Sequence, residues 1–326
     1  MAKVLGMGNA LVDILTMLKS DETLEKFSLP KGSMQLVDHE TSDKVDKGTM
    51  DLDKTIASGG SAANTIHGLA GMGIETGFIG KVGKDEFSRY FIADLEKNNI
   101  KPELLISDTP TGKAMALISR DSERTFATYL GAAVEMTASD LNENLFEGYG
   151  YFHIEGYLVQ NHELIERAVE IAKKKNLKVS LDMASYNVVE DNLEFLQKLL
   201  KNYVDIVFAN EEEAKAFTGK SPEESLDIFA DICEIAVVKT GKTGSMVKKG
   251  NKIYNIGVID AKPTDTTGAG DMYAAGFIYG LINGLSLDKC GAVGSVLAGK
   301  VIEVIGPKLG QVRWKESREM INNLVK

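Results

Sequence analysis

Cysteine is scarce in this chain. Cys233 and Cys290 are the two among 326 residues, too few for a disulfide framework or a cysteine metal site. Buried reduced thiols in a reducing compartment are the expectation. Histidine is scarce as well, and His39, His67, His153 and His162 show no H-E-x-x-H spacing, which argues against a zinc centre. Positive charge is in deficit. Against 47 Asp and Glu stand 37 Lys and Arg, and a net charge of −10 argues against a nucleic-acid surface, which needs clustered cations. A long apolar run is missing too: the uncharged stretch Met272–Leu287 is short for a membrane span and rich in glycine. The opening MAKVLGMGNALVDILTML is broken by Asn9 and Asp13 and lacks the basic flank and cleavage site of a signal peptide. These absences point to a cytoplasmic protein with neither membrane nor nucleic acid among its partners. No Pro-rich linker, internal repeat or low-complexity tract divides the chain, so residues 1–326 read as one domain.

What is present is alternation. YGYFHI (149–154), LKVSLD (177–182), VDIVFAN (204–210) and IAVVKT (235–240) read as buried strands, and Glu163–Lys175, Leu193–Asn202 and Glu211–Thr218 between them read as helices. This order predicts an α/β fold with a mostly parallel sheet covered on both faces. Near the N-terminus, KVLGMGN reads as a strand ending in a polar turn, and SGGSAANTIHGLAGMG as a turn feeding a helix. Residues 14–57 carry many charges and no clean period. KAMALIS (113–119) and TFATYL (125–130) flank RDSER as a hairpin, whose strands are expected in a small separate sheet covering a site.

Chemistry concentrates in five motifs. In DTTGAGD (Asp265–Asp271), Gly268, Ala269 and Gly270 precede an acid that opens an apolar helix. Unpaired amides and the dipole at a helix start make an anion site. A carboxylate beside such a site repels phosphate, unless it takes the proton of a hydroxyl that attacks the phosphate; a plain Gly-rich cap is the bland alternative. GMGNALVD sets Asn9 and Asp13 just after the first strand, where open α/β sheets bind ligands. GGSAAN (Gly59–Asn64) allows close backbone approach through Gly59 and Gly60 and ends in an amide that donates and accepts. Asn210 and Glu213 of NEEE share a helix face and offer hard oxygens suited to Mg²⁺, though Glu-rich helix starts are common. VVKTGKTGS (Val237–Ser245) reads as strand, Gly turn and strand. GSVLAGKV (Gly294–Val301) mimics a Walker A spacing, but Val301 replaces the Ser/Thr and the segment reads as helix packing; GMGNAL and GAGDMY fail G-x-G-x-x-G at Leu11 and Tyr273.

In their order along the chain, SGGSAAN, NEEE, VVKTGKTGS and DTTGAGD resemble the motifs of the ribokinase-like, or PfkB, family of carbohydrate and nucleoside kinases, and the resemblance covers nearly the whole chain. The resemblance implies a three-layer α/β/α ribokinase-like fold with a small β lid drawn from about residues 14–57 and 108–131. It also implies ATP-dependent phosphorylation of a primary hydroxyl. Carried over, Asp271 is the base and the amides of Gly268, Ala269 and Gly270 form the anion hole. Asn9, Asp13, Gly59, Gly60 and Asn64 bind the acceptor. Lys239, Thr240, Gly241 and Gly244 lie by the nucleotide, and Asn210 and Glu213 organise Mg²⁺ largely through water. Asp265 and Thr267 match a monovalent-cation (K⁺) site of some members, with carbonyls near Ile302 and Gly306 as further ligands. LGMGNALVDIL, FSLPKGSMQLVD (27–38), TYLGAA (128–133) and HIEGY (153–157) are similar to adenosine kinases, which implies Leu36, Leu130, Ala132 and Tyr157 around an adenine. Ala62–Ala63 and Thr267 fit the general sugar-kinase forms, so a ribokinase- or fructokinase-like sugar kinase is the alternative. The implied partners are ATP and a nucleoside or sugar, on a monomer or homodimer.

Overall fold

The computed structural model describes residues 1–121 and 123–325; Ser122 of RDSER and Lys326 lie outside the described residues. Its strands are β1 (Val4–Met7), β2 (Leu11–Met17), β3 (Met34–Leu36), β4 (Lys54–Gly59), β5 (Thr76–Val82), β6 (Ile100–Ile106), β7 (Gly112–Ile118), β8 (Arg124–Tyr129), β9 (Tyr151–Glu155), β10 (Lys178–Asp182), β11 (Ile206–Asn210), β12 (Ile235–Lys239), β13 (Ser245–Lys249) and β14 (Lys252–Ile256). The large sheet runs β14-β13-β12-β11-β10-β9-β1-β5-β6. It is parallel from β12 to β6, with β13 and β14 added antiparallel at one edge.

Successive residues of a strand point to opposite faces, and that alternation makes the three layers. Val4, Phe208 and Val237 join one core with Met272, Phe277 and Val293 from the helices Ala269–Ile282 and Leu287–Val301. Their neighbours Leu5, Val207 and Ala236 join the opposite core, with Leu164, Ile165 and Leu196 from the helices His162–Lys174 and Leu193–Tyr203. Burial on both faces explains the uninterrupted apolar runs in the sequence. Expected and observed elements of this half agree to within about two residues, the ordinary scatter of element ends.

The smaller sheet has the order β3-β8-β7-β2-β4. The expected hairpin is β7 with β8, antiparallel, and β2 pairs parallel to β7 and antiparallel to β4. Residues 14–57 resolve into the end of β2, the helices Glu22–Lys26 and His39–Gly48, β3 and β4. No period marks them because β3 is exposed along its whole length and the helix His39–Gly48 buries only Ser42 and Val45. Among the described residues no helix is long and apolar enough to cross a membrane.

Candidate active site

Four neighbouring parallel strands end on polar residues: Glu155 on β9, Asp182 on β10, Asn210 on β11 and Lys239 on β12. Register sets Asp182 beside Glu155 and Asn210 beside Lys239. Glu155 is buried and accepts from the Asn9 amide at 2.9 Å, Asn9 Nδ2 at 2.6 Å and the Ala62 amide at 2.9 Å. Burial pushes its pKa up to about 7 against the pull of these bonds. The three bonds tie the turn after β1 to the start of the helix Ser61–Gly71. Gly60 caps that helix at φ 99°, and a Cβ there would lie 2.1 Å from the Asn9 carbonyl, so no other residue fits the turn.

Asp271 sits in the first turn of the helix Ala269–Ile282, entered through Gly268 in the left-handed conformation. Its carboxylate accepts from Ser61 Oγ at 2.7 Å and Asn64 Nδ2 at 2.9 Å. Among the described residues the other amide atom of Asn64, Oδ1, is buried without a partner. Burial pushes the Asp271 pKa up to about 6; the Ser61 and Asn64 bonds oppose this, the Asp182 charge adds to it and Lys239 opposes it. Lys239 Nζ donates to Asp182 Oδ2 at 2.8 Å and stands 3.1 Å from where a Cβ on Gly270 would be, directly beside the Gly-rich turn. Burial alone would lower the Lys239 pKa; the carboxylates of Asp182 and Glu213 reverse that and raise it. Of the expected anion-hole amides, that of Ala269 already donates to the Thr266 carbonyl at 3.2 Å.

Two cavities flank this cluster. The first, about 860 Å³, is lined by Asn9, Gly60, Ser61, Glu155 and Tyr157 and by Met34, Leu36, Thr128 and Leu130 from the smaller sheet and its edge. The second, about 660 Å³, is lined by Asn210, Lys239, Gly241, Gly244, Ala269 and Gly270, with Val258, Ile259, Ala261, Ala298 and Ile302 as an apolar wall. Asp271 lies between them, bonded to Ser61 of the first and adjoining Gly270 of the second.

The remaining expected residues fall at varied depths. Asp13, on β2, packs its carboxylate over Gly59, where a Cβ would collide with it. Burial pushes the Asp13 pKa up to about 7, with Lys308 opposing and Asp271 adding. Ala132 is fully buried behind the first cavity, and its neighbours Ala133 and Val134 form the wall instead. Thr240 shapes the turn after β12, its amide donating to the Gly244 carbonyl at 2.8 Å.

Asn210 and Glu213 form a capping box. Asn210 Oδ1 accepts from the Glu213 amide at 2.8 Å, while the Glu213 oxygens accept from Asn210 N at 2.7 Å and Nδ2 at 2.6 Å. Glu213 is buried, and burial pushes its pKa up to about 7. Among the described residues no three His, Cys, Asp or Glu side chains converge on one ion. The Asp265 carboxylate pairs with Arg124 Nη2 at 2.6 Å, and Arg124 Nη1 donates to Thr267 Oγ1 at 2.8 Å.

Several of these residues carry no motif of their own. Ser61 lies inside GGSAAN beside the singled-out residues. Glu155 and Asp182 were findable as acids ending apolar strands, the same signal that marks Asn210. Arg124 had none, because only folding brings β8 against DTTGAGD. GSVLAGKV is helix packing as expected, yet Ser295, Ala298 and Gly299 also line the second cavity.

A sequence model described as pfkB family carbohydrate kinase matches residues 41–312. Adenosine kinase of Saccharomyces cerevisiae is 30% identical over 338 aligned positions, which cover 94% of this chain and 96% of that protein. A protein of Archaeoglobus fulgidus described as an uncharacterized sugar kinase is 28% identical over 252 positions, 76% of this chain and 98% of its own length. The crystal structure of adenosine kinase from Sinorhizobium meliloti superposes with a TM-score of 0.87 at 31% identity, covering 98% of this chain and 99% of that one.

Proposed function

We propose that this chain, which belongs to the pfkB family of carbohydrate kinases, transfers the γ-phosphoryl group of ATP to the 5′-hydroxyl of adenosine. The single observation that carries the reading is the position of Asp271 between two cavities, with Ser61 on one side and Gly270 on the other. The acceptor binds in the first cavity and ATP in the second. The acceptor hydroxyl gives its proton to Asp271 while its oxygen bonds to the γ-phosphorus. The bond from that phosphorus to the bridging oxygen breaks, and ADP leaves with the electron pair. Amides at the start of the helix Ala269–Ile282, with Lys239 beside them, face the charge on the group in transit.

The free Oδ1 of Asn64 suits one sugar hydroxyl, since a buried acceptor without a donor is costly. Asp13 suits two more. Leu36, Leu130 and Tyr157 offer a purine the apolar enclosure that a free sugar has no use for. Two of the similar proteins are adenosine kinases by name. The hydroxyl-binding set would also serve a sugar, and the Archaeoglobus relative is described as a sugar kinase, so a ribokinase- or fructokinase-like activity is the second reading. Mg²⁺ fits as a hydrated ion: the Glu213 oxygens each carry one protein bond and retain a lone pair for water. Bound to ATP, it would supply charge neutralisation on the phosphates.

The test is ADP release measured with adenosine, other nucleosides, ribose and fructose in turn. Adenosine is expected to give the highest kcat/KM. A higher value for either free sugar moves the protein to the second reading, and no acceptor-dependent ADP with any of them defeats both.

A further inference from the structure

Asp265 and Thr267 are the residues that the family resemblance offers to a monovalent cation, and their surroundings do not fit one. A carboxylate has about four lone-pair sites. At Asp265 Oδ1, two are taken by the Thr267 amide at 3.0 Å and the Thr267 hydroxyl at 2.8 Å. At Oδ2, two are taken by Arg124 Nη2 at 2.6 Å and the Gly306 amide at 2.5 Å. The carboxylate is full. The Thr267 hydroxyl is engaged on both sides: it donates to Asp265 and accepts from Arg124 Nη1, whose positive charge then faces the oxygen a cation would use. The Ile302 carbonyl accepts from the amides of both Thr264 and Asp265, at 2.6 and 3.1 Å. Every hydrogen bond named here delivers a donor to an oxygen that an alkali ion would need bare.

The charge such an ion would bring is already present. Arg124 opens β8 of the smaller sheet, and its side chain is 15% exposed against 4% for Asp265. A guanidinium cannot lose its charge and spreads it over two forked donors, here one to each residue of the cation motif. A buried carboxylate needs such a partner. The loop it holds, Asp265–Thr267, runs directly into Gly268, Gly270 and Asp271. A fixed positive charge behind that turn favours the negative charge that phosphotransfer places in front of it.

We infer that Arg124 is a built-in substitute for the monovalent cation, a positioning residue that ties the smaller sheet to the Asp265–Thr267 loop and makes catalysis independent of K⁺. The inference rests on the kinase reading above for its effect on rate, but its effect on ion binding stands without it.

The experiment therefore has two readouts on the full chain. The first is the unfolding midpoint, without substrates, in KCl, NaCl and choline chloride at equal ionic strength. The wild type is expected to show the same midpoint in all three, whereas Arg124→Ala, with the carboxylate uncovered, is expected to be raised by KCl over choline chloride. A KCl-specific rise in the wild type overturns the inference, whatever the enzyme catalyses.

The second readout is the rate with ATP and the best acceptor. Wild-type kcat/KM is expected to agree within about twofold across the three salts, since screening is matched. A loss of about tenfold in choline chloride overturns the inference and leaves the kinase reading intact, because both numbers are rates of phosphotransfer. Activity in none of the salts defeats the kinase reading, and the midpoint comparison then still decides the ion site. Arg124→Ala is expected to lose about tenfold or more in kcat and to recover part of it in KCl, as removal of one preorganised charge does. A folded Arg124→Ala protein with wild-type kcat in choline chloride also overturns the inference. If the alanine variant does not fold, Arg124→Lys carries the comparison: it keeps a charge without the fork and is expected to lose rate yet stay indifferent to KCl, while stimulation by KCl to wild-type rate counts against the inference.

Discussion

The two cavities on either side of Asp271 are assembled in different ways. The second is lined by residues between Asn210 and Ile302, from turns and helices that follow one another along the chain. The first gathers Asn9, Leu36, Gly60, Thr128 and Tyr157 from separate parts of the sequence and takes only one side of its wall from the smaller sheet. A site built from consecutive turns announces itself in motifs, because spacing in sequence becomes spacing in space. A site built by tertiary approach does not. On the proposed reading the first binds the acceptor, so the generic part of the chemistry is the readable part and the choice of acceptor is the obscure one.

Changes at the partition should affect both sides at once. Asp271→Asn keeps the shape but cannot take a proton, and kcat is expected to fall by about 10² to 10⁴, the ordinary worth of a general base, with both ligands still bound. A variant within tenfold of the wild type would remove Asp271 from the role. The same base sets a pH limb. Burial raises the Asp271 pKa to about 6, so its acid form persists to higher pH than an ordinary aspartic acid, and only the anion accepts a proton. The kcat/KM of the wild type should therefore decline as pH drops through about 6, with Asp13, raised to about 7, adding to the upper part of the same limb. A limb centred near 4 contradicts the assignment.

Changes on one side should separate the cavities. Asp13→Ala is expected to weaken the acceptor by about 1.5–3 kcal/mol, the worth of hydrogen bonds to a charged group, and to leave ATP affinity unchanged. Calorimetric titration of each ligand measures both, and an unaltered acceptor Kd takes Asp13 out of the site. Glu213→Gln keeps one of the two bonds from Asn210, since its amide nitrogen cannot accept, and removes one charge from the ATP side. The Mg²⁺ concentration for half-maximal rate should rise several-fold, roughly the effect of losing one water-mediated anionic contact, while acceptor KM stays put. An unchanged Mg²⁺ profile returns Glu213 to a purely structural cap.

The smallest effect concerns the wall around the base. Adenosine should raise the unfolding midpoint more than ribose or fructose at equal concentration, and Tyr157→Ala should reduce the adenosine shift by the equivalent of about 0.5–1.5 kcal/mol, the range for an aromatic contact. A larger shift from a free sugar makes the two cavities less different than proposed, since the acceptor would then use only the hydroxyl-binding end.

The sheet and the motifs were readable because burial on both faces writes continuous apolar strands, and because a turn at a strand end needs glycine or a capping residue at a fixed offset. Val237 to Ser245 folds as read, strand, turn and strand, with Gly244 closing onto the Thr240 amide. Residues 14–57 stayed opaque for the opposite reason. Leu36 is 61% exposed, so β3 has no buried face to impose a period of two. Ala132 lies in the core, since in the short 3₁₀ turn at Gly131–Glu135 it is Ala133 and Val134 that line the cavity. Arg124 shows the limit most plainly. Its partners Asp265 and Thr267 are quoted in the most conspicuous motif of the chain, and nothing local in RDSER points to them.

One measurement reaches the proposed phosphotransfer most directly: ³¹P NMR of the wild type and Asp271→Asn with ATP, Mg²⁺ and adenosine in the same tube. The wild type is expected to convert ATP and adenosine into ADP and AMP in equal amounts, while the variant binds both and converts neither. ATP turnover that does not depend on adenosine or any other hydroxyl acceptor, or AMP formed by the variant at close to the wild-type rate, would contradict it.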